Sequence, residues 1–152
     1  MQGPLGDWEN PMSYKLTITQ KPTYVHAIVT GTNTREDVAR YLEELQRECI
    51  ARSCARVLIE ERLEGHRIGT TDVFQVISEA SARARGIFEA IAYVDVNAES
   101  GQNMKFGETV AVNRGVPARA FLSVVDADKW LQGGVRGGIQ PGAPAEAKEP
   151  RR

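Results

Sequence analysis

The sequence predicts a mixed α/β domain, a mostly parallel β-sheet with flanking helices in the order β-β-α-β-α-β-α-β-α. Three observations carry this. Short β-branched or alternating stretches recur between segments with helical spacing of apolar residues. The helical segments are long enough to serve as crossovers, and crossover connections make successive strands parallel. Glycine and proline crowd at the two ends: eight fall in residues 133–152 and four in residues 1–12, against nine in the 120 residues between. The folded unit is therefore expected at 13–132, with 1–12 a flexible N-terminal segment and 133–152 a disordered Gly/Pro-rich tail.

Tyr14 to Thr19 alternates apolar and polar residues, as a strand with one wet face does. Lys21-Pro22-Thr23 is a turn, and Tyr24 to Val29 is apolar at both parities, as in a strand covered on both sides. The two form a hairpin, which adds an antiparallel edge to the sheet. Thr34 is a suitable helix cap, with Glu36 and Asp37 in the first turn where the dipole favours anions. Val38, Leu42, Leu45 and Cys49 then line one helical face, and Glu36–Arg40 and Glu43–Arg47 are supporting pairs. Arg56 to Glu60 reads as a short strand that turns abruptly into the polar run Glu61 to Arg67.

A second helix is expected to start near Thr70 or Thr71, whose hydroxyls suit a cap. It turns Val73, Phe74, Val76, Ile77, Ala80 and Ala84 inward and ends at Gly86. Ile87 to Val96 reads as a central strand, and Asn97 to Gln102 as a polar loop. A third helix covers about Asn103 to Arg114, with Phe106, Val110 and Ala111 inward, and stops at Gly115. Arg119 to Val125 is the last strand. Asp126 is the expected cap of a closing helix that brings Trp130 and Leu131 back onto the body.

Composition narrows the function classes. The formal net charge is -1, which lacks the overall basic field of a nucleic-acid binder. Aromatic residues are 7% of the chain, too few for a base-stacking platform, so no nucleic acid is expected as a partner. The longest apolar run, Ala90 to Val94, falls far short of the ~20 residues of a membrane span. The N-terminal residues lack a cationic start and an apolar stretch, so no secretory signal is expected and the expected location is cytoplasmic. Cys49 and Cys54 have no second pair to complete a zinc site, and reduced thiols at the core are the expectation. No metal and no cofactor are expected.

Three stretches, together with the element order, resemble the STAS-like superfamily, named for sulfate transporters and anti-sigma-factor antagonists. They are Val57-Leu58-Ile59-Glu60, Ile87 to Val94, and Ala120 to Leu131, where an extended run meets an acidic cap and a tryptophan–leucine helix. The likeness covers about residues 14–132. It implies a regulatory or protein-interaction module acting through a protein partner or a second copy of itself. Antagonist members of the superfamily carry a phosphorylatable serine or threonine at the start of the helix after the third strand. The matching place here holds Thr70 and Thr71, a candidate phospho-acceptor or anion site. The Asp-x-Ser-Gly pattern of the phosphorylated members is absent, and Asp72 would repel an added phosphate.

The densest polar cluster is Glu60, Glu61, Arg62, Glu64, His66 and Arg67, just past the third strand, where ligands of parallel sheets collect. Glu60, Glu61, His66 and Arg67 are its candidate crevice residues, and Glu60, Glu61 and His66 the set an acid–base enzyme would use. No nucleophile elbow or phosphate loop accompanies them, so no catalytic residue is assigned. His26 reads as a structural histidine. The remaining alternative is a carrier of a lipid or small apolar ligand, implied by the similar layout of the CRAL-TRIO lipid-binding fold, with an apolar cavity behind the third helix.

Overall fold

The computed structural model describes residues 14–65, 68–96 and 101–133, the side chains of 101–103 excepted. The expected terminal segments (Gly133 aside), most of the 97–102 loop, and both His66 and Arg67 lie outside the described residues.

The elements run β1 (Tyr14–Gln20), β2 (Val25–Thr32), α1 (Arg35–Ala51), β3 (Arg56–Glu64), α2 (Thr70–Ala84), β4 (Ala90–Asp95), α3 (Gly101–Asn113), β5 (Ala118–Phe121) and α4 (Val124–Gln132). They build one five-stranded sheet in the order β1-β2-β3-β4-β5. β1 pairs antiparallel with β2, from Tyr14 opposite Gly31 to Gln20 opposite Val25. The remaining pairs are parallel, with Val25 opposite Val57 and Val57 opposite Ile91. The mixed, mostly parallel α/β sheet expected from the sequence is the one observed.

Each crossover moves one strand further in the same direction. Parallel crossovers are right-handed, so three steps in one direction place α1, α2 and α3 on the same face. The other face of the sheet receives α4, which packs on β3, β4 and β5. Side chains alternate accordingly. Val25, Ala27, Val29, Val57, Ile59 and Leu63 share a core with Val38, Tyr41, Leu45, Cys49 and Val76. Leu58, Ala90, Ala92 and Val94 point the other way, onto Ala127 and Leu131 of α4. This two-sided covering explains why β2 to β4 are apolar at both parities while β1 alternates.

The helix ends differ in instructive ways. Thr34 caps α1 as expected, its hydroxyl accepting from the Asp37 amide at 3.1 Å. α2 begins after Gly69, an extended residue with no side-chain cap, so Thr70 and Thr71 are first-turn residues and not caps. α4 begins at Val124 because Ser123 accepts from the Asp126 amide at 3.1 Å. That places Asp126 inside the first turn, where its charge meets the dipole, and cuts the expected last strand to Ala118–Phe121. β3 is longer than expected: it runs through Glu61, Arg62 and Leu63 to Glu64, because β2 pairs with it to Thr32 opposite Glu64. β4 is shorter than 87–96, and α3 starts at Gly101.

Phe74, expected inside, is 44% exposed, and the Arg114 guanidinium lies over its ring at 4.9 Å. Cation and ring cover each other at the α2–α3 surface, so the ring does not need the core. Phe106 is half-buried, whereas Met104, two residues earlier on α3 and not expected inside, is buried.

Candidate functional site

Between the sheet and its three crossover helices lies a cleft of about 160 Å³. Residue size explains it. Where α2 and α3 face the sheet they present Ala80, Ala84, Gly107 and Ala111, and β5 answers with Ala118 and Ala120. Small side chains from three elements leave a space that none can close, while Val57, Ile59, Val76, Phe88 and Ile91 give it apolar walls. Gly107 of α3 faces Val73 and Ile77 of α2, and a Cβ there would make ordinary contact with both at 3.8 Å.

One end of the cleft is polar, and Glu61 is its centre. In the alternation of β3, Glu61 shares the parity of Val57, Ile59 and Leu63, so it enters the helix-covered face and is only 4% exposed. Burying a carboxylate is costly unless hydrogen bonds replace its water. The Tyr41 hydroxyl of α1 donates to Glu61 Oε2, and the Tyr93 hydroxyl of β4 donates to Oε1. Burial, and then the charge of Glu61, hold the Tyr41 phenol well above its ordinary pKa, so Tyr41 stays the donor. Register puts Asp95 beside Glu61 at the carboxyl ends of β4 and β3. Asp95 is also buried and lines the same cleft, and its amide donates to Met104 Sδ at 3.2 Å.

Glu60, one residue earlier, points to the opposite face. There His26 Nε2 lies 2.8 Å from Glu60 Oε1, and Arg62 forms an ion pair with the other carboxylate oxygen. His26 is thus a partner of a buried structural carboxylate. The crevice candidates Glu60 and Glu61 are not brought together: consecutive residues of a strand face opposite ways. Thr70 and Thr71 are exposed at the start of α2, and neither lines the cleft; the neighbouring Asp72 reaches Arg35 at 3.9 Å.

Three residues of the site were missed from sequence: Tyr41, Tyr93 and Asp95. A signal existed for each. Tyr41 falls three residues after Val38 and four before Leu45, on the buried stripe. Tyr93 and Asp95 have the parity of Ile91, and register with β3 sets them opposite Ile59 and Glu61. Among the described residues, no group of three or more histidine, cysteine, aspartate or glutamate side chains is arranged to hold a metal ion. No helix among them is long and apolar enough to cross a membrane.

No family model matches the sequence, and no curated protein matches it either. Among solved structures, the chain is similar to an uncharacterized protein of the DUF3478 family with a SpoIIAA-like fold, from Shewanella loihica PV-4. Identity is 14% and the TM-score 0.46, over 78% of this chain and 94% of that one.

Proposed function

We propose that this protein is a non-catalytic binding module whose cleft takes a small apolar molecule. The observation that carries the reading is the cleft itself: about 160 Å³, walled mostly by apolar side chains, with Glu61, Asp95, Tyr41 and Tyr93 among its polar lining. Apolar cavities of ~150 Å³ hold a benzene-sized molecule, whereas sites for drug-sized ligands have ~300–1,000 Å³. The occupant is therefore a single ring or a short chain, and a long acyl chain does not fit. Glu60 and Glu61 diverge onto opposite faces of the sheet, so the two do not act together as an acid–base pair.

The expected strength follows from area. An aromatic ring buries about 150 Å², which at about 25 cal/mol per Å² is about 4 kcal/mol. That corresponds to a dissociation constant of about 1 mM for a bare ring. The test is ligand-observed NMR with toluene or indole against the protein and against Ala80→Leu and Ala111→Leu, which fill the cleft from two helices. Binding should vanish in both variants while circular dichroism stays that of the parent. Unchanged binding in the two filled proteins would place the molecule elsewhere and sink the reading.

A second reading, a protein-interaction module, is favoured by the sheet margins. At the β5 margin the Ala120 amide donates to Glu108 Oε1 of α3 at 2.8 Å, so a side chain already takes this backbone group. β1, at the other margin, is seven residues long and presents the longer template for a partner strand.

A further inference from the structure

We infer that the occupant of the cleft is a small neutral aromatic alcohol, a phenol by class, whose hydroxyl bonds to the Ser81 hydroxyl. The inference rests on the cleft being a ligand site and adds the group that orients the ligand in it.

Ser81 lies in the last turn of α2, three residues before Ala84, and lines the cleft. It is only 3% exposed. Among the described residues its hydroxyl has no hydrogen-bond partner, not even the Ile77 carbonyl one turn back that a helical serine can use. Ser78 is alike in having no partner, but its Oγ is shut from solvent and it does not line the cleft. Ser81 Oγ is not shut off, and the space it meets is the cleft. The other polar side chains of the lining are engaged within the protein. Tyr41 and Tyr93 donate to Glu61, Gln46 Nε2 donates to the Arg83 carbonyl at 2.8 Å, and Glu108 Oε1 accepts from the Ala120 amide. Asn33 and Asp95 have partners as well, and the Arg119 guanidinium lies over the Phe121 ring at 5.4 Å.

A hydroxyl buried without a partner costs free energy that a ligand can recover. Serine offers one hydrogen and two lone pairs, so its complement both donates and accepts. A ligand hydroxyl does both with a single atom. A charged head would exchange its water for one uncharged hydroxyl, which is unfavourable. The hydroxyl is set at the end of the cleft away from Glu61, because α2 leaves the carboxyl end of β3 and finishes before the amino end of β4. The volume fixes the rest of the molecule: one six-membered ring with its hydroxyl fills about 160 Å³.

Phenol and toluene have nearly the same shape and differ by a hydroxyl in place of a methyl, and a phenol is neutral at neutral pH. In a cleft without a partner for that hydroxyl, toluene would bind the tighter, since phenol would lose its bond to water. Ligand-observed NMR titrations should show phenol at least as tight as toluene. Ser81→Ala adds no atom and places a good helix former on α2. There phenol should weaken about fivefold or more relative to toluene, whose own affinity stays, with circular dichroism reporting the fold. Toluene tighter than phenol in the parent would overturn the phenol assignment without any variant and leave the cleft as an apolar site. A phenol-to-toluene ratio unchanged in folded Ser81→Ala would overturn it too. No binding by either molecule would overturn both the assignment and the cleft reading. Ala111→Leu controls for phenol held at the surface: phenol still bound there would overturn the assignment.

Discussion

Cys49 is 1% exposed, on the face of α1 that meets β2 and β3. Burial, more than the neighbouring Cys54, pushes its thiol up to about 12, so little thiolate exists near neutral pH. Cys54 is half-buried, and its Sγ donates to the Arg56 carbonyl at 3.3 Å. The thiolate is the reactive form, so the two cysteines should differ sharply. With iodoacetamide at mildly alkaline pH, peptide mass spectrometry should find Cys54 modified at least about tenfold faster than Cys49. Cys49 should become reactive only when denaturant opens the core. Equal rates in the folded protein would mean that the α1–sheet core opens more readily than its packing implies. This outcome was half legible in the sequence: steps of four, three and four from Val38 put Cys49 on the inner stripe. The same steps did not register Tyr41, since a tyrosine is inward only if something meets its hydroxyl, and Glu61 lies twenty residues on.

At the level of elements, the hairpin β1–β2 exposes one long margin. Lys15, Thr17 and Thr19 alternate with Leu16 and Ile18, and the latter two pack against the α1 core. If β1 is where a strand of a second copy adds, proline within it separates the outcomes, because adjacent residues direct their amides to opposite sides. Of Thr17→Pro and Ile18→Pro, one removes an outward amide and spares the β1–β2 ladder. Light scattering across a dilution series should show the parent above monomer mass at its highest concentration, and the folded proline variant at monomer mass throughout. A parent that stays monomeric would rule out self-pairing through this strand. The helices were more legible than the strand ends. α1 has a cap, acidic first turn and regular stripe, all local. The end of β3 is not local: Glu61, Arg62 and Glu64 look like loop residues, and become strand because β2 offers hydrogen bonds out to Thr32.

Across the whole molecule, one contact joins the start of β2 to the last helix. The Tyr24 hydroxyl donates to Asp128 Oδ1 at 2.5 Å, linking residues 104 apart in the chain. Burial, and then the bond to Asp128, raise the Tyr24 phenol from its ordinary 10 to about 12. The same bond, with Gln132 second, lowers the Asp128 carboxyl. The signs give two limits. Asp128 contributes stability that is present above the ordinary carboxylate range and is lost as pH falls through its lowered pKa. Tyr24 contributes stability that is complete below 10 and is lost as pH rises through about 12. Tyr24→Phe should therefore cost about 1 kcal/mol near neutral pH. It should also flatten both limbs of a stability-versus-pH curve measured by denaturant titration. An unaltered curve would show that the Tyr24–Asp128 bond does not hold α4 and that its other contacts, Leu131 and Ala127 among them, do.

The sequence by itself determined the order of the elements, the parallel middle of the sheet and the antiparallel edge. These follow from periodicity, caps and the handedness of crossovers, all of which act within a few tens of residues. It also contained the parity that sends Glu61 and Glu60 to opposite faces of the sheet, both of them buried. Only the tertiary structure decided that Glu61 meets Tyr41, Tyr93 and Asp95, and that small residues from α2, α3 and β5 leave a cleft beside them. The physical reason is that a cavity and a buried carboxylate are properties of packing. Each depends on how several faces meet, and no single segment specifies that meeting.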